Sequence, residues 1–465
     1  MTLSSPRSSV PPPPSVASVT DRLGVRLRAV GPGADPAVLL GLALRRNPRR
    51  AQLLVSRVLG KHVPTDPRLV RASGLLLGGL VADALAGRPA RALPVDLLHA
   101  AVREEPAAAL TLSLTAGVRD PAVDALVVGF AETATALGHC VAEALGADYL
   151  HSTRRPVPGI ATAGGFAEEH SHAVDHLLLP LDPGLLRGDR PLVLVDDELS
   201  TGRTALNTIT ALHRANPRER YVLATLVDAR PDDRVLAQGV AALGARLDVV
   251  SLCRAAVEVP ADVLDRATAI RDGLPERTQT ATRTHSDPDS RVVRWSEHGW
   301  PDGVPAGGRH GFGAAHHRTL DVALPRLAAA VGVRPGERTL VLGTEELMAL
   351  PLRLAQTLAD GLDGAGDGSG GGGGGGTVRY STTTRSPAVV VDEPGYALRS
   401  GLTFPAHDAP ADGPGPRFAY NLGDLDAWDH VVVVVDPPAD TPALRSGLLT
   451  ALAPLTRRTT VVITP

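Results

Sequence analysis

Short apolar runs alternate with longer amphipathic segments along most of the chain. Runs such as DALVVGF, PLVLVDD and RYVLATLVD resemble buried strands, and segments such as AETATALGHCVAEALG and TALNTITALHRA show helical spacing. This alternation is typical of βα units, in which helices join parallel strands. It predicts an α/β fold with a mainly parallel sheet and flanking helices.

The pattern divides the chain into two α/β regions. We expect a disordered tail over residues 1–19, a first region over 20–274 and a polar linker without sustained period over 275–308. The second region, residues 309–465, contains the apolar runs RTLVLGT and DHVVVVVD. It is interrupted at 364–376 by GAGDGSGGGGGGG, whose composition predicts a mobile loop.

Composition narrows the class of protein. The chain has 465 residues, of which 43% are hydrophobic and 21% are charged, and its formal net charge is -3. These values are typical of soluble globular proteins and give no electrostatic reason to expect nucleic acid or an anionic membrane as a partner. Cys140 and Cys253 form no disulfide framework or metal-ligand pair by spacing. The sequence shows no signal peptide and no uncharged membrane-spanning window, so we expect a cytoplasmic protein.

The segment VLVDDELSTGRT predicts a binding site for a phosphorylated sugar. If VLVDD ends a strand and the next apolar-periodic residues form a helix, the loop between them lies at the carboxyl end of a parallel sheet, where such sheets bind ligands. A glycine and hydroxyl side chains before a helix N-terminus can hold a phosphate. The candidate phosphate-binding residues are Ser200, Thr201, Gly202, Arg203 and Thr204. Asp196 and Asp197 lie shortly before them in the sequence and can accept hydrogen bonds from ribose hydroxyls.

This segment resembles the 5-phosphoribosyl diphosphate signature of type I phosphoribosyltransferases. The acid pair, the spacing and the Thr-Gly step all match. The alternative is a Rossmann-like strand end with a chance turn; a Walker loop is excluded because no Gly-Lys-Ser/Thr follows.

The resemblance assigns further parts of the site. It implies that residues 127–139 form the strand, loop and helix that touch diphosphate. It also implies that residues 151–155 begin the closing loop, with Arg154 and Arg155 as its cations. Arginine suits that task because its charge is permanent and its fork matches phosphate oxygens. Lys61, the one lysine in the sequence, either supplies a further phosphate contact or is an accident of coding. Mg²⁺ is expected between diphosphate and ribose oxygens, keeping several waters.

The segment FAEEHSHAVDH allows three interpretations. His172 and His176 would share one helix face and could bind zinc. Glu169, His170 and His172 could instead line the closed site and order the acceptor or its proton. The segment could also be a solvated polar loop.

The wider sequence is similar to an orotate-type phosphoribosyltransferase joined to a TRSP domain, a pairing associated with tellurium-resistance stress operons. The marks are NPRRAQLLVSRVLGKHVPTDP, EEHSHA, GTEE and TTTRSP. The resemblance implies transfer of phosphoribosyl from 5-phosphoribosyl diphosphate to a nitrogenous acceptor, and it is compatible with a homodimer. A non-catalytic sugar-phosphate sensor is the alternative; a nucleotide hydrolase would need a base and a water site that the sequence does not identify.

The second region resembles a decayed copy of the first. Gly129 and Glu132 match Gly343 and Glu346, and Thr153-Arg154-x-Pro156 matches Thr384-Arg385-x-Pro387. Downstream, Asp196 and Thr201 match Asp436 and Thr441, but Pro437 and Pro442 replace the second acid and the glycine. Proline has no amide hydrogen, so the second copy should bind phosphate poorly. We expect it to keep an anion or nucleotide-like site without transferase chemistry around Glu345, Glu346, Thr384, Arg385 and Ser386.

Overall fold

The structure is a computed structural model. It describes residues 18–47, 50–117, 122–166, 176–274, 289–365, 376–407, 415–423 and 427–465. Among these residues no helix combines the length and apolar character needed to cross a membrane.

The first half contains one large sheet and two small hairpins. Its strands are β1 (Arg26–Ala29), β2 (Leu40–Leu44), β3 (Gln52–Ser56), β4 (Leu126–Gly129), β5 (Asp148–His151), β6 (Gly164–Phe166), β7 (His176–Leu178), β8 (Leu192–Leu199), β9 (Arg220–Asp228) and β10 (Arg246–Glu258). Its helices are α1 (Val19–Leu23), α2 (Pro36–Leu39), α3 (Pro67–Leu85), α4 (Val95–Val102), α5 (Ala108–Ala116), α6 (Thr135–Leu145), α7 (Arg203–Ala215), α8 (Arg234–Ala241) and α9 (Val263–Asp272). The sheet order is β1-β10-β9-β8-β4-β5, with β1 antiparallel and the other pairs parallel.

The second half has a smaller sheet of the same kind. Its strands are β11 (Asp289–Arg294), β12 (Arg338–Gly343), β13 (Thr377–Thr382), β14 (Gly401–Pro405), β15 (Pro416–Tyr420), β16 (His430–Val435) and β17 (Arg458–Ile463). Its helices are α10 (Ala314–Val331), α11 (Ala349–Ala365), α12 (Pro442–Leu444) and α13 (Thr450–Leu452). The sheet order is β11-β17-β16-β12-β13, and all four pairs are parallel. The predicted α/β fold with parallel sheets is thereby confirmed.

Four strands of each sheet follow the same order. In each sheet, the strand that leads to a Thr-Arg pair lies at the edge (β5 or β13), next to the strand that ends on a matched glycine (β4 or β12). The next positions are taken by β8 and β9 in the first sheet and by β16 and β17 in the second. A hairpin follows each Thr-Arg pair: Thr153 pairs with Leu177 of β7, and Thr384 pairs with Phe418 of β15. This is the arrangement that the predicted duplication requires.

The predicted linker is shorter than residues 275–308. Residues 289–294 form β11 at the edge of the second sheet, and Trp295 directly after it is buried. The strand has only two apolar residues, Val292 and Val293, of which Val293 is buried and Val292 is 45% exposed. Such a brief alternation is below what a sequence pattern can distinguish from a loop. In the predicted glycine-rich loop, α11 continues to Ala365, and residues 366–375 lie outside the described part of the chain.

The halves are packed together. A single buried apolar cluster includes Val127 and Tyr149 of the first half and Leu327, Val341 and Tyr380 of the second. Burial of apolar area on this scale is the main favourable contribution to folding. The ends of β4 and β12 therefore meet at a fixed junction.

Candidate functional site

The predicted phosphate loop lies between a strand and a helix. Strand β8 ends at Leu199 and α7 begins at Arg203. Gly202, between them, has φ +79°, a left-handed conformation that side chains disfavour, and a Cβ there would lie 3.3 Å from Leu236 Cδ2. The amides of the first turn of α7 and its positive dipole end are thus presented beside the loop, as phosphate binding requires.

The polar groups of this loop remain accessible. Ser200, Thr201 and Arg203 are exposed and Thr204 is half-buried. Asp196 and Asp197 are half-buried, and the Asp197 amide donates a hydrogen bond to Asp196 Oδ1 (2.9 Å). The structure therefore brings all the predicted ribose and phosphate residues to one edge of the first sheet.

The end of β9 supports this loop from the side. The Ala229 amide donates to the Leu199 carbonyl (2.9 Å). Buried Arg230 donates through Nε and Nη2 to the two carboxylate oxygens of Asp228, both at 2.8 Å. Because this ion pair is bidentate and buried, it fixes the backbone that flanks the loop.

Glu198 is a titratable residue of this edge that the sequence analysis did not single out. Burial raises the pKa of Glu198 to about 7, and the charge of Asp197 adds to the shift, while Arg45 and Arg50 oppose it. A carboxyl with this pKa is half-ionised near neutral pH and can give or accept a proton. The available signal was a third acid at the end of an otherwise apolar strand.

Lys61 lies beneath the loop that follows β4. Its Nζ donates to Thr133 Oγ1 (2.7 Å) and is 3.9 Å from Glu132 Oε2. Burial raises the pKa of Glu132, although Lys61 opposes the shift. The lysine is thus placed at the loop assigned to diphosphate, with its ammonium directed at protein oxygens.

The two predicted arginines lie at the junction of the halves. Arg154 Nη2 is 3.2 Å from His176 Nε2, and His176 Nδ1 is 2.8 Å from Ser152 Oγ. Arg155 Nη2 is 3.0 Å from Glu345 Oε2 of the second half. Arg155 therefore already has a carboxylate partner, so its predicted role toward diphosphate would have to be shared with this ion pair.

The zinc interpretation of His172 and His176 is not tested, because His172 lies outside the described residues. His176 stacks on Phe166, with ring centroids 4.8 Å apart, and its Nδ1 forms a hydrogen bond with Ser152 Oγ (2.8 Å). No group of three or more His, Cys, Asp or Glu side chains in the described ranges could hold a metal ion. Glu169, His170 and His172 lie outside the described residues.

Glu345 occupies the predicted anion site of the second half. Its carboxylate accepts from Arg385 Nε (2.7 Å) and Arg417 Nε (2.7 Å), besides the contact with Arg155. Burial alone would raise its pKa, but Arg155, Arg417 and Arg385 together hold the pKa of Glu345 at about 2. At the predicted second-half site, these three arginines are therefore paired with a carboxylate of the chain itself. Arg417 was not foreseen.

Two glutamates each accept hydrogen bonds from the half of the chain to which they do not belong; we call them exchanged glutamates. Glu346 accepts from Thr153 Oγ1 (2.8 and 3.0 Å), from the Arg154 amide (3.2 Å) and from Arg309 Nη2 (3.1 Å). In the opposite direction, Glu132 Oε2 accepts from Thr384 Oγ1 (3.0 Å) and is 3.4 Å from the Arg385 amide. In addition, Thr384 Oγ1 accepts from the Ser386 amide (3.1 Å). The predicted residues of the second half are thus part of the junction.

The matched acid of the second half is displaced by one position. Strand β8 places Val195 beside Gly129, whereas β16 places Val433 beside Leu342, so Asp436 lies one residue further along its strand than Asp196. The following loop is occupied by its own side chains. Asp440 accepts from Arg294 (2.9 Å) and Arg445 (2.8 Å), and Thr441 Oγ1 accepts from the Leu444 amide (3.2 Å).

Comparisons with known proteins agree with this division of the chain. A family model described as phosphoribosyl transferase matches residues 39–256, and a model of the TRSP domain that follows that transferase domain at its C terminus matches residues 306–452. Comparison with curated proteins gives no match.

Similar solved structures include three enzymes. Adenine phosphoribosyltransferase from Rhodothermus marinus is 18% identical, with a TM-score of 0.27 over 47% of this chain and 98% of its own. The Trypanosoma brucei adenine phosphoribosyltransferase, in complex with AMP, pyrophosphate and ribose-5-phosphate, is 13% identical. Its TM-score is 0.25 over 54% of this chain and 86% of its own. Leishmania donovani UMP synthase is 16% identical, with a TM-score of 0.20 over 44% of this chain and 40% of its own.

The two family models follow each other in the order in which the two sheets occur along the chain. The chain therefore belongs to the phosphoribosyltransferase family that carries a C-terminal TRSP domain, and it is a phosphoribosyltransferase.

Proposed function

We propose that the protein transfers the 5-phosphoribosyl group of 5-phosphoribosyl diphosphate to a nitrogenous acceptor at the carboxyl edge of the first sheet. The observation that carries the proposal is the β8–Gly202–α7 turn. It combines a left-handed glycine, accessible hydroxyls and a helix N-terminus with two half-buried carboxylates. A ribose phosphate has the matching groups, a dianion and two vicinal hydroxyls.

Each part of the edge takes one task. Asp196 and Asp197 accept hydrogen bonds from the ribose hydroxyls, and residues 200–204 hold the 5-phosphate. Catalysis then depends mainly on positioning and on stabilising the charge of the leaving diphosphate.

Magnesium fits this edge as an ion carried by the substrate. The carboxylates of Asp196 and Asp197 are hard oxygen ligands, which Mg²⁺ prefers, while the described residues offer no cage of three or more side chains. When bound, Mg²⁺ would neutralise charge on the diphosphate.

We extend the proposal to a ribonucleotide-like product of a stress-related pathway in the cytoplasm. The support is the resemblance to TRSP-linked transferases of tellurium-resistance operons. Mass spectrometry after incubation of the protein with labelled 5-phosphoribosyl diphosphate, Mg²⁺ and a metabolite extract would identify the ribosylated product.

The test of the substrate is calorimetric. Replacing Asp196 and Asp197 by Asn keeps their shape and removes both charges, so affinity for 5-phosphoribosyl diphosphate with Mg²⁺ should fall at least about tenfold, as expected for the loss of hydrogen bonds to charged acceptors. The control replaces Asp265 and Asp272, exposed residues of α9, by Asn and changes the net charge equally. Equal affinity of the two double variants would refute the assignment.

A further inference from the structure

The exchange of Glu132 and Glu346 is one of several contacts that occur twice. A short sequence also occurs twice, as Gly60-Lys61-His62 and Gly308-Arg309-His310. Lys61 is the cation beside Glu132 (3.9 Å), and Arg309 is the cation beside Glu346 (3.1 Å). Each exchanged glutamate is therefore approached by a cation from its own half.

The glycines of the repeated sequence pack across the junction. A Cβ on Gly60 would lie 2.4 Å from Cδ1 of Tyr380 in the second half. A Cβ on Gly308 would lie 2.2 Å from Cε1 of Tyr149 in the first half. Both contacts leave no room for a side chain, so both positions require glycine.

Backbone pairing repeats in the same way. Tyr380 exchanges two hydrogen bonds with Thr65 (2.9 and 3.0 Å), and Tyr149 exchanges two with Phe312 (2.8 and 2.9 Å). The loops after β4 and β12 are also held alike. The Ala131 amide donates to Ser152 Oγ (2.9 Å), and the Glu345 amide donates to Thr383 Oγ1 (3.1 Å). These contacts occur twice, once from each half to the other, so the halves are related by an approximate two-fold symmetry.

This symmetry ends at the substrate edge. The first half has the acid pair and Gly202, whereas the second has Pro437 and Pro442, and Asp440 there is bound to two arginines. The second half therefore keeps the contacts of the junction, although it lacks the phosphate loop of the first half. The exchanged Glu346 still contacts the turn that carries Arg154, one of the arginines predicted to bind diphosphate.

We propose that the second half is a built-in partner of the first and that Glu346 is a positioning residue of the first-half site. It fixes the Thr153–Arg154 turn at the diphosphate end of the substrate. This inference rests on the proposed function, and it gives the TRSP domain a task in a reaction that it does not itself catalyse.

The chemistry of Glu346 suits this task. It is 7% exposed, and burial opposes its ionisation, but Arg309, His151 and Arg155, together with the Thr153 hydrogen bond, outweigh this effect and hold the pKa of Glu346 below its usual value. A charged acceptor makes stronger hydrogen bonds than a neutral one, so the turn is held firmly. The amide group of a glutamine would offer one acceptor oxygen where the carboxylate offers two.

The experiment compares substitutions of two glutamates that flank β12, Glu346 after the strand and Glu337 before it. Glu346→Gln weakens the hold on Thr153 and Arg154. Glu337→Gln, just before the opposite end of the same strand, weakens an ion pair with Arg458 (2.6 and 2.9 Å) in the same half. We expect Glu346→Gln to raise KM for 5-phosphoribosyl diphosphate about tenfold and to weaken inhibition by inorganic diphosphate equally, as for one charge-assisted hydrogen bond, with kcat little changed. Glu337→Gln should lower Tm and leave KM unchanged.

The outcomes separate this inference from the proposed function. If the wild-type protein binds no 5-phosphoribosyl diphosphate, the proposed function fails and the inference with it. If the wild-type protein transfers phosphoribosyl and both variants keep its KM, the second half is only a scaffold and the inference is wrong. Should Glu346→Gln not fold, Thr153→Val, which removes the hydroxyl that donates to Glu346, is measured in the same way and decides the same question.

Discussion

Glu345 determines what the second half can bind. Three guanidinium groups, those of Arg155, Arg385 and Arg417, converge on this one buried carboxylate. The residue at the same position of the first half is Ala131, whose amide makes the equivalent hydrogen bond to a hydroxyl. The carboxylate therefore lies where an external anion would otherwise neutralise the arginines.

Removing this carboxylate should create an anion site. Glu345→Ala leaves three guanidinium groups without their shared partner, which should cost about 3–5 kcal/mol of unfolding free energy. Inorganic phosphate should restore part of this loss, because a dianion fits arginine forks. Differential scanning fluorimetry at constant ionic strength should show a larger rise in Tm with phosphate for Glu345→Ala than for the wild type.

The control for this prediction is Glu337→Ala, which removes a carboxylate bound to Arg458 and, more weakly, to the exposed side chain of Arg334 (4.0 Å). Its phosphate response should equal that of the wild type. If phosphate raises Tm equally in all three proteins, the arginines do not form an anion site.

Among the elements, the turn between β8 and α7 combines strain with function. Gly202→Ala places a side chain at φ +79° and 3.3 Å from Leu236, which should cost about 1–2 kcal/mol. It should also tilt the first amides of α7 and weaken binding of 5-phosphoribosyl diphosphate. Gly188→Ala is the matched control, since Gly188 has φ +95° and no atom within 4 Å of an added Cβ.

The two glycine variants should therefore lose similar stability in urea titrations, while calorimetry should show weaker binding only for Gly202→Ala. Equal affinities would mean that the turn is only a strained connection.

The elements were predictable where the pattern was long. The runs around β8 and β16 are continuously apolar and end on acids, so strand type and position followed from the sequence. Strand β11 was missed because it has two adjacent valines at a sheet edge. The ion pairs of Glu345 were not predictable either, since Arg155 and Arg417 come from distant segments and local spacing carries no information on such contacts.

For the whole molecule, the matches Gly129 with Gly343 and Glu132 with Glu346 predicted two related sheets, and four strands of each sheet follow the same order. The sequence also contained the repeat Gly60-Lys61-His62 and Gly308-Arg309-His310, which was overlooked. Even with that repeat, the sequence would not have shown that each glutamate contacts the opposite half. A match between two copies shows which residues correspond, but it does not show which copy each side chain contacts.

The second half also contacts the β2–β3 hairpin of the first half. The Val389 amide donates to the Leu44 carbonyl of β2 (2.8 Å), and Tyr396 Oη accepts from the Leu44 amide (2.8 Å). Together with the shared apolar cluster, these contacts make the halves depend on each other for folding. A fragment of either half would expose the buried rings of Tyr149 or Tyr380 to water.

We therefore expect residues 18–274 and 289–465, expressed separately, to lack a cooperative unfolding transition, because each would leave a large apolar face without its partner. Co-expressed, they should purify as an equimolar complex that binds 5-phosphoribosyl diphosphate like the intact chain. The control is the full chain cut at a protease site introduced within residues 275–288, which should keep both its transition and its affinity. A soluble 18–274 fragment that unfolds cooperatively and binds the substrate with wild-type affinity would show that the first site is complete without the second half.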